Sequence, residues 1–385
     1  MKKFCSAILF FAMCLALSGS ALANVSTIVN AYGTGGGAGV ALSATGTGTP
    51  VDPIVVDGNV TGAINELYLG DTSGLTIYWN ASLTGNPLTH NLLSMDGTGH
   101  LIIRPGGVIS RTTVGPGIGD TIGAGDSGNG AQATITVESG GTVSNLHWEL
   151  VDFGDDDLEI PVALNVYGTV NIRDGATVSA PYGAAIVVNN INLPASAAEG
   201  ITGWVTLYDL DSRTFRMYGY GYHYSRVWAP LDGFEEWAVT TVTTTRNAVW
   251  TIGGGQDVVE MILRDGFRHV IEGKVIVAAN PGRYVLQGDL EIQRDGEIYI
   301  QGAFDFAGGT VTNRNPDGFL VADGAALTSS APSVFYGYEP VDGILPSGVD
   351  RRPLTTDSSS SSGCNAGAEF GALMFVAALW VMRRR

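Results

Sequence analysis

Short alternating strands stacked as the coils of an all-β solenoid are the fold this chain predicts, and three observations carry the prediction. Glycine supplies 54 of 385 residues, about twice the usual share of ~7%, while proline adds only 15. With many Val, Ile and Thr between the glycines, this composition reads as short strands and tight turns. Segments 100–110 (HLIIRPGGVIS), 134–144 (TITVESGGTVS) and 169–179 (TVNIRDGATVS) align without gaps, and 289–299 (DLEIQRDGEIY) follows them more loosely. Helical patterning is nearly absent outside the two termini.

Each aligned segment places apolar residues at alternate positions, such as Ile135 and Val137 or Val170 and Ile172. A glycine turn follows, then Ile109, Val143, Val178 or Ile298. Period-2 residues face inward, and glycine serves where the backbone needs φ > 0 or close approach. Units recurring at such intervals stack, each coil covering its neighbour's core face. Residues 267–328 read the same way, with Gly273, Gly288, Gly296, Gly302 and Gly308 punctuating short alternating runs. This pattern resembles right-handed parallel β-helix surface proteins, including autotransporter passengers. That resemblance implies a right-handed winding and a surface role. At ~20–35 residues per coil, a body of about 300 residues gives ~9–15 coils, a rod of roughly 45–75 Å at ~4.8 Å per coil. A β-sandwich, or a pair of them, is the alternative arrangement of the same strands.

The N-terminus begins with Lys2 and Lys3, continues through the apolar AILFFAMCLAL and reaches Ala21 and Ala23. A charged start, a short apolar core and an A-x-A site predict a secretory signal peptide over 1–23. Export would remove Cys5 and Cys14, leaving residues 24–363 without cysteine. The body, 24–338, must then be held by burial and backbone hydrogen bonds rather than disulfides.

Charge excludes one class of partner. Setting aside Lys2, Lys3, Glu369, Arg383, Arg384 and Arg385 leaves 15 basic against 36 acidic residues, a net −21. Nucleic acid needs a basic face for its phosphates, so it is not an expected partner.

An aromatic-rich insertion interrupts the body at about 201–255, where WVTLYDLDSRTFRMYGYGYHYSRVWAPLDGFEEW holds ten aromatics in 34 residues. Tyr218, Tyr220, Tyr222 and Tyr224 alternate, so one strand would line them on one face. Packed, they form the core of a hairpin; exposed, they offer a ladder for glycan rings. Two glycine-rich segments, 33–48 and 115–130, read as flexible loops. Within the second, GAGDSG mimics a dinucleotide fingerprint but lacks the following helix.

Chemistry-bearing clusters are few. Asp155, Asp156, Asp157 and Glu159 make an acidic turn whose oxygens suit Ca²⁺, although the spacing fits no calcium loop. No other cofactor is expected. The five histidines show no metal-ligand spacing, and no G-x-S-x-G elbow occurs. Paired carboxylates converging as in a polysaccharide-active β-helix enzyme would come from Glu235 and Glu236 beside Trp237, or from Asp209 and Asp211 near Tyr208. Without a motif that joins them, the chain is expected not to be an enzyme.

From 339 to 362 a polar, Ser-rich tether replaces the alternating pattern. It leads into SGCNAG, an apolar run over 370–382 and the basic end Arg383, Arg384 and Arg385. Thirteen apolar residues make ~20 Å of helix, short of a ~30 Å bilayer core. The arginines would stay cytoplasmic. The segment 363–385 thus reads as one short transmembrane helix. Gly363, Cys364, Asn365, Ala366, Gly367, the apolar run and the three arginines together resemble the Synerg-CTERM protein-sorting domain. The resemblance implies a membrane protease acting at the tail and attachment of the body to the cell envelope. Cys364 is the one exported thiol, a nucleophile able to take a lipid group near the interface. The expected partners are therefore the membrane, a sorting protease and surface glycans.

Overall fold

The computed structural model describes residues 25–354 except 89–90, 113–118, 126–129, 148–150, 153–157, 160, 208–213, 224–240, 255–258 and 280–281. The chain is all-β and winds into a solenoid of about ten turns. Strand pairing is parallel from coil to coil, which replaces the sandwich alternative.

The aligned repeats stack as their sequences demand. His100 lies beside Thr134, and Thr134 beside Thr169; after the turn, Val108 lies beside Thr142 and Thr142 beside Thr177. The intervening Leu101, Ile135 and Val170 are fully buried, each worth about 1.5–3 kcal/mol relative to exposure. Gly106, Gly140 and Gly175 turn the corner at φ +83°, +77° and +76°. Gly107 does a different job. A Cβ there would sit 2.3 Å from the carbonyl oxygen of Trp79 in the coil beneath.

Residues 25–207 form an N-terminal stack with three flanks. The first flank includes Thr76–Trp79, His100–Ile103 and Ala133–Val137, continuing through 169–172 and 190–192. A second runs through Ser82–Gly85, Val108–Arg111 and Thr142–Asn145. The third starts with Leu67–Asp71, Leu93–Asp96 and Ile122–Ala124, and ends in Ile201–Leu207. A helix over 25–32 closes the first coil, with Val25 and Val29 fully buried.

The third flank does not stop at Leu207. Thr214–Tyr218 adds to Ile201–Leu207 antiparallel, and Thr241–Thr244, Arg268–Ile271, Asp289–Ile292, Thr310–Asn313, Ser333–Gly337 and Val349–Arg352 follow in parallel. One spine sheet therefore runs the length of the molecule. At the junction Trp204 opposes Met217, and Val205 opposes Arg216. Opposed residues share one face of a sheet. Val205 belongs to the N-terminal core, but Arg216 is exposed; Trp204 and Met217 belong to a separate C-terminal core. The inner face of the spine has become its outer face. The chain has also reversed direction. Reversing both the travel and the side of the core leaves the winding hand unchanged, so both stacks wind alike. Instead of one rod with one core, two cores lie on opposite faces of a shared sheet.

The C-terminal stack has two further flanks. One contains Tyr220–His223, Val249–Ile252, Lys274–Val277, Glu297–Ile300 and Phe319–Val321. The other contains Val259–Leu263, Gly282–Leu286, Ala303–Ala307 and Ala326–Ala331.

Four boundaries differ from the sequence expectation. Ala38–Thr45, within a supposed flexible loop, is a strand antiparallel to Ile54–Ala63. Ile122–Ala124, within the other, is a rung of the spine. The expected insertion contributes rungs at Ile201–Leu207, Thr241–Thr244 and Val249–Ile252, so its described parts belong to the solenoid. The body also runs past residue 338, because Val349–Arg352 pairs with Ser333–Gly337. That last strand is charged and mostly exposed, so no apolar alternation announces it.

Candidate functional site

The expected tyrosine ladder is divided between two sheets. Tyr218 ends Thr214–Tyr218 in the spine and packs, half-buried, against the N-terminal core. Gly219 then turns at φ +60°, and Tyr220–His223 joins a different flank beside Val249–Ile252. Tyr220 and Tyr222 share register with Val249 and Thr251, the outward positions of that strand, while Gly221 lies beside buried Trp250. The corner separates Tyr218 from the next two, and Tyr224 lies outside the described residues.

Glu159 sits in a short antiparallel pair, Val151–Asp152 with Leu158–Glu159. Asp155, Asp156 and Asp157 lie outside the described residues, as do Asp209, Asp211, Glu235 and Glu236. So do the expected signal-cleavage residues Ala21 and Ala23. The expected sorting residues Gly363, Cys364, Asn365, Ala366, Gly367, Arg383, Arg384 and Arg385 lie outside them too. Among the described residues, no group of three or more His, Cys, Asp or Glu side chains is placed to hold a metal ion. No described helix is long and apolar enough to cross a membrane.

Two polar constellations form that the sequence did not announce. The first is on the outer corner of the C-terminal stack. There Glu291, nearly buried, receives Arg268, Arg314 at 3.1 Å and Gln293 at 3.0 Å. Arg246 meets Asp295 at 3.1 Å, and Glu272 and Arg294 complete an open depression. Its paired cations and anions tie successive turns together.

The second is internal. His269 is completely buried, with Nε2 2.9 Å from the Thr244 hydroxyl and Nδ1 3.0 Å from the Tyr284 hydroxyl. Burial pushes the His269 pKa down to about 3 and raises that of Tyr284 well above its usual value. The imidazole is therefore neutral, donating one of these bonds and accepting the other. The signal was present in the pattern RHVI, where His269 alternates with Ile271 and so takes an inward position.

Rings continue the contact in both directions. Trp250 lies 5.3 Å from His269 and 6.1 Å from Trp204; Tyr284 stacks on Phe304 at 5.1 Å, and Phe304 meets Phe319 at 5.3 Å. This aromatic column is buried in the core of the C-terminal stack.

No family model, curated protein or solved structure matches this chain.

Proposed function

We propose that this is an exported cell-surface protein, a right-handed β-solenoid with a structural or adhesin-like role, attached through a processed C-terminal sorting signal at Cys364. The carrying observation is that the described chain starts at one end of the spine and finishes at the other, in Val349–Arg352. A tether following residue 354 therefore holds the molecule by one end and presents the N-terminal stack furthest from the envelope. The right hand is supported by the preference of parallel crossover connections, about 98% of which are right-handed.

Cys364 supplies the attachment chemistry, because it is the one thiol left after removal of the signal peptide. Intact-mass measurement of the protein isolated from its native envelope tests this reading. Loss of residues 1–23 together with a truncated or adducted C-terminus is the expected result. A mass that retains Arg383, Arg384 and Arg385 and carries no adduct overturns sorting and leaves a plain membrane anchor. Incubation with acidic polysaccharides tests the non-enzymatic part. Cleavage that disappears on Glu235→Gln or Glu236→Gln would make the protein an enzyme.

A further inference from the structure

We propose that the first flank of the N-terminal stack binds an uncharged, hydroxyl-rich polysaccharide chain laid along the solenoid axis. This gives the adhesin part of the proposed function a ligand class and a place, and it does not depend on how the tail is processed.

The flank presents two outward rows in strict register. Thr76, His100, Thr134, Thr169 and Asn190 follow one another in the first. Tyr78, Ile102, Thr136, Asn171 and Asn192 make the second. Neither row contains Asp, Glu, Lys or Arg, in a mature body of net charge −21. Every flank of the C-terminal stack, by contrast, carries outward charge: Arg268 and Glu291 on the spine, Lys274 and Glu297 on the second, Glu260 and Arg283 on the third. A polyanion would meet the repulsion of the whole body; a neutral chain would not.

Hydrogen bonding ties part of the second row to His100 of the first and leaves three side chains of the first row unbonded. Asn192 donates to the Asn171 amide oxygen at 2.6 Å, and Asn171 donates to the Thr136 hydroxyl at 3.2 Å. Thr136 in turn lies 2.8 Å from His100 Nε2. This axial chain holds its side chains in place before any ligand arrives, which lowers the entropy cost of binding. Beside it, the side chains of Thr134, Thr169 and Asn190 make no hydrogen bond among the described residues. Their polar groups repeat at one coil rise, ~4.8 Å, over about 10 Å of axis. Hydroxyls in such an array exchange donors and acceptors with the hydroxyls of a sugar chain.

The second flank is also rich in Ser and Thr, but its Ser110 and Ser144 are 8% and 7% exposed and bond to each other at 2.6 Å. Thr136 on the first flank is covered to the same degree, at 6%, so the ligand meets the neighbouring row of Thr134, Thr169 and Asn190. The first flank alone ends in two exposed amides, Asn190 and Asn192.

Retention of the purified full-length mature chain on cellulose, chitin and mannan tests the proposal, with polygalacturonate as the charged comparison. Retention on at least one neutral polymer and none on polygalacturonate is expected. The double variant Thr134→Lys with Thr169→Lys should bind about tenfold more weakly, near 1.4 kcal/mol. The matched pair Thr241→Lys with Thr310→Lys, on the C-terminal stack, should bind as the parent does. If the first pair fails to fold, Thr134→Val with Thr169→Val keeps the β-branched shape and removes only the hydroxyls; it should still weaken binding. Retention on none of the neutral polymers, or equal retention by both sites' variants, overturns the proposal. So does binding confined to polygalacturonate. Because tail processing is read by mass and this by retention, either idea can fail without the other.

Discussion

The two stacks share a spine and a winding hand but solve the packing problem differently. The N-terminal interior is dominated by Val, Ile and Leu, with Trp79 the one large buried ring among its described residues. The C-terminal interior is a column of Trp, His, Tyr and Phe in ring-to-ring contact. Outside, the contrast recurs. The first two N-terminal flanks present hydroxyls and amides, whereas the C-terminal flanks are laced by ion pairs between successive turns, such as Arg283 with Glu260 and Lys274 with Glu297. An aliphatic coil touches the coils directly above and below it. A ring column couples several coils at once, so its stability should be more collective.

Phe304→Ala puts the largest strain on that comparison. The ring is fully buried and lies 5.1, 4.8 and 5.3 Å from Tyr284, Phe306 and Phe319. Its truncation should cost about 3–5 kcal/mol, against about 0.5–1.5 for Ile135→Val in the N-terminal core. Urea unfolding followed by fluorescence checks this, and the C-terminal stack should melt as a separate, earlier transition in the Phe304 variant. Loss of stability with no separate earlier transition would mean that the rings act as independent rungs.

Acid probes the same column. His269 has its folded pKa lowered to about 3, whereas the unfolded side chain takes a proton near 6.5. The unfolded state thus binds the extra proton first. Stability is full above pH 6.5 and declines as pH falls toward 3, by up to roughly 5 kcal/mol. Chemical denaturation at stepped pH should show the slope, and His269→Leu should flatten it. A slope unchanged by that substitution would assign the acid sensitivity to other groups.

A third comparison asks whether the turns are equivalent although the cores are not. Gly107 and Gly296 occupy the same place in their repeats. A Cβ would lie 2.3 Å from the Trp79 carbonyl oxygen in one and 2.0 Å from that of Ile271 in the other. Alanine at either position should destabilise by about 1–3 kcal/mol, since backbone must shift to admit it. Thermal melts of the two variants should agree; a tolerant Gly107 would show that the N-terminal coils are the looser set.

How much of this was legible depended on whether the information was local. Ile135, Val137, Val170 and Ile172 declared their rungs because a two-residue period with a glycine turn is a local pattern. Asp289–Ile292 was visible more faintly, because its outward positions carry charge rather than Thr or Asn. The reversal at Trp204 and Met217 had no local sign: it depends on which strand pairs with Thr214–Tyr218, a contact between segments. The tyrosine alternation was read as one face because nothing in YGYGYHY reveals that Gly219 adopts positive φ and turns the corner. The open polar face was likewise hidden, since it exists only where Thr134, Thr169 and Asn190 come into register from separate coils.

The smallest expected effect concerns the exterior. Lys274, the one lysine of residues 24–363, faces Glu297 in register, with Nζ 2.6 Å from the carboxylate and 5.7 Å from the Tyr299 ring. Both side chains remain partly exposed, at 38% and 28%. Solvent therefore screens the pair, and Lys274→Gln should cost only about 0.2–1 kcal/mol. Its N-terminal counterpart, Arg104 with Glu138, is looser at 3.9 Å and more exposed. Arg104→Gln should cost still less. The informative readout is salt dependence, because added salt weakens exposed pairs. The C-terminal transition of the parent should lose stability on raising salt, and Lys274→Gln should remove part of that loss. If both transitions respond alike, the ion pairs on the C-terminal flanks add no more than surface solubility, and the difference between the stacks resides in their cores alone.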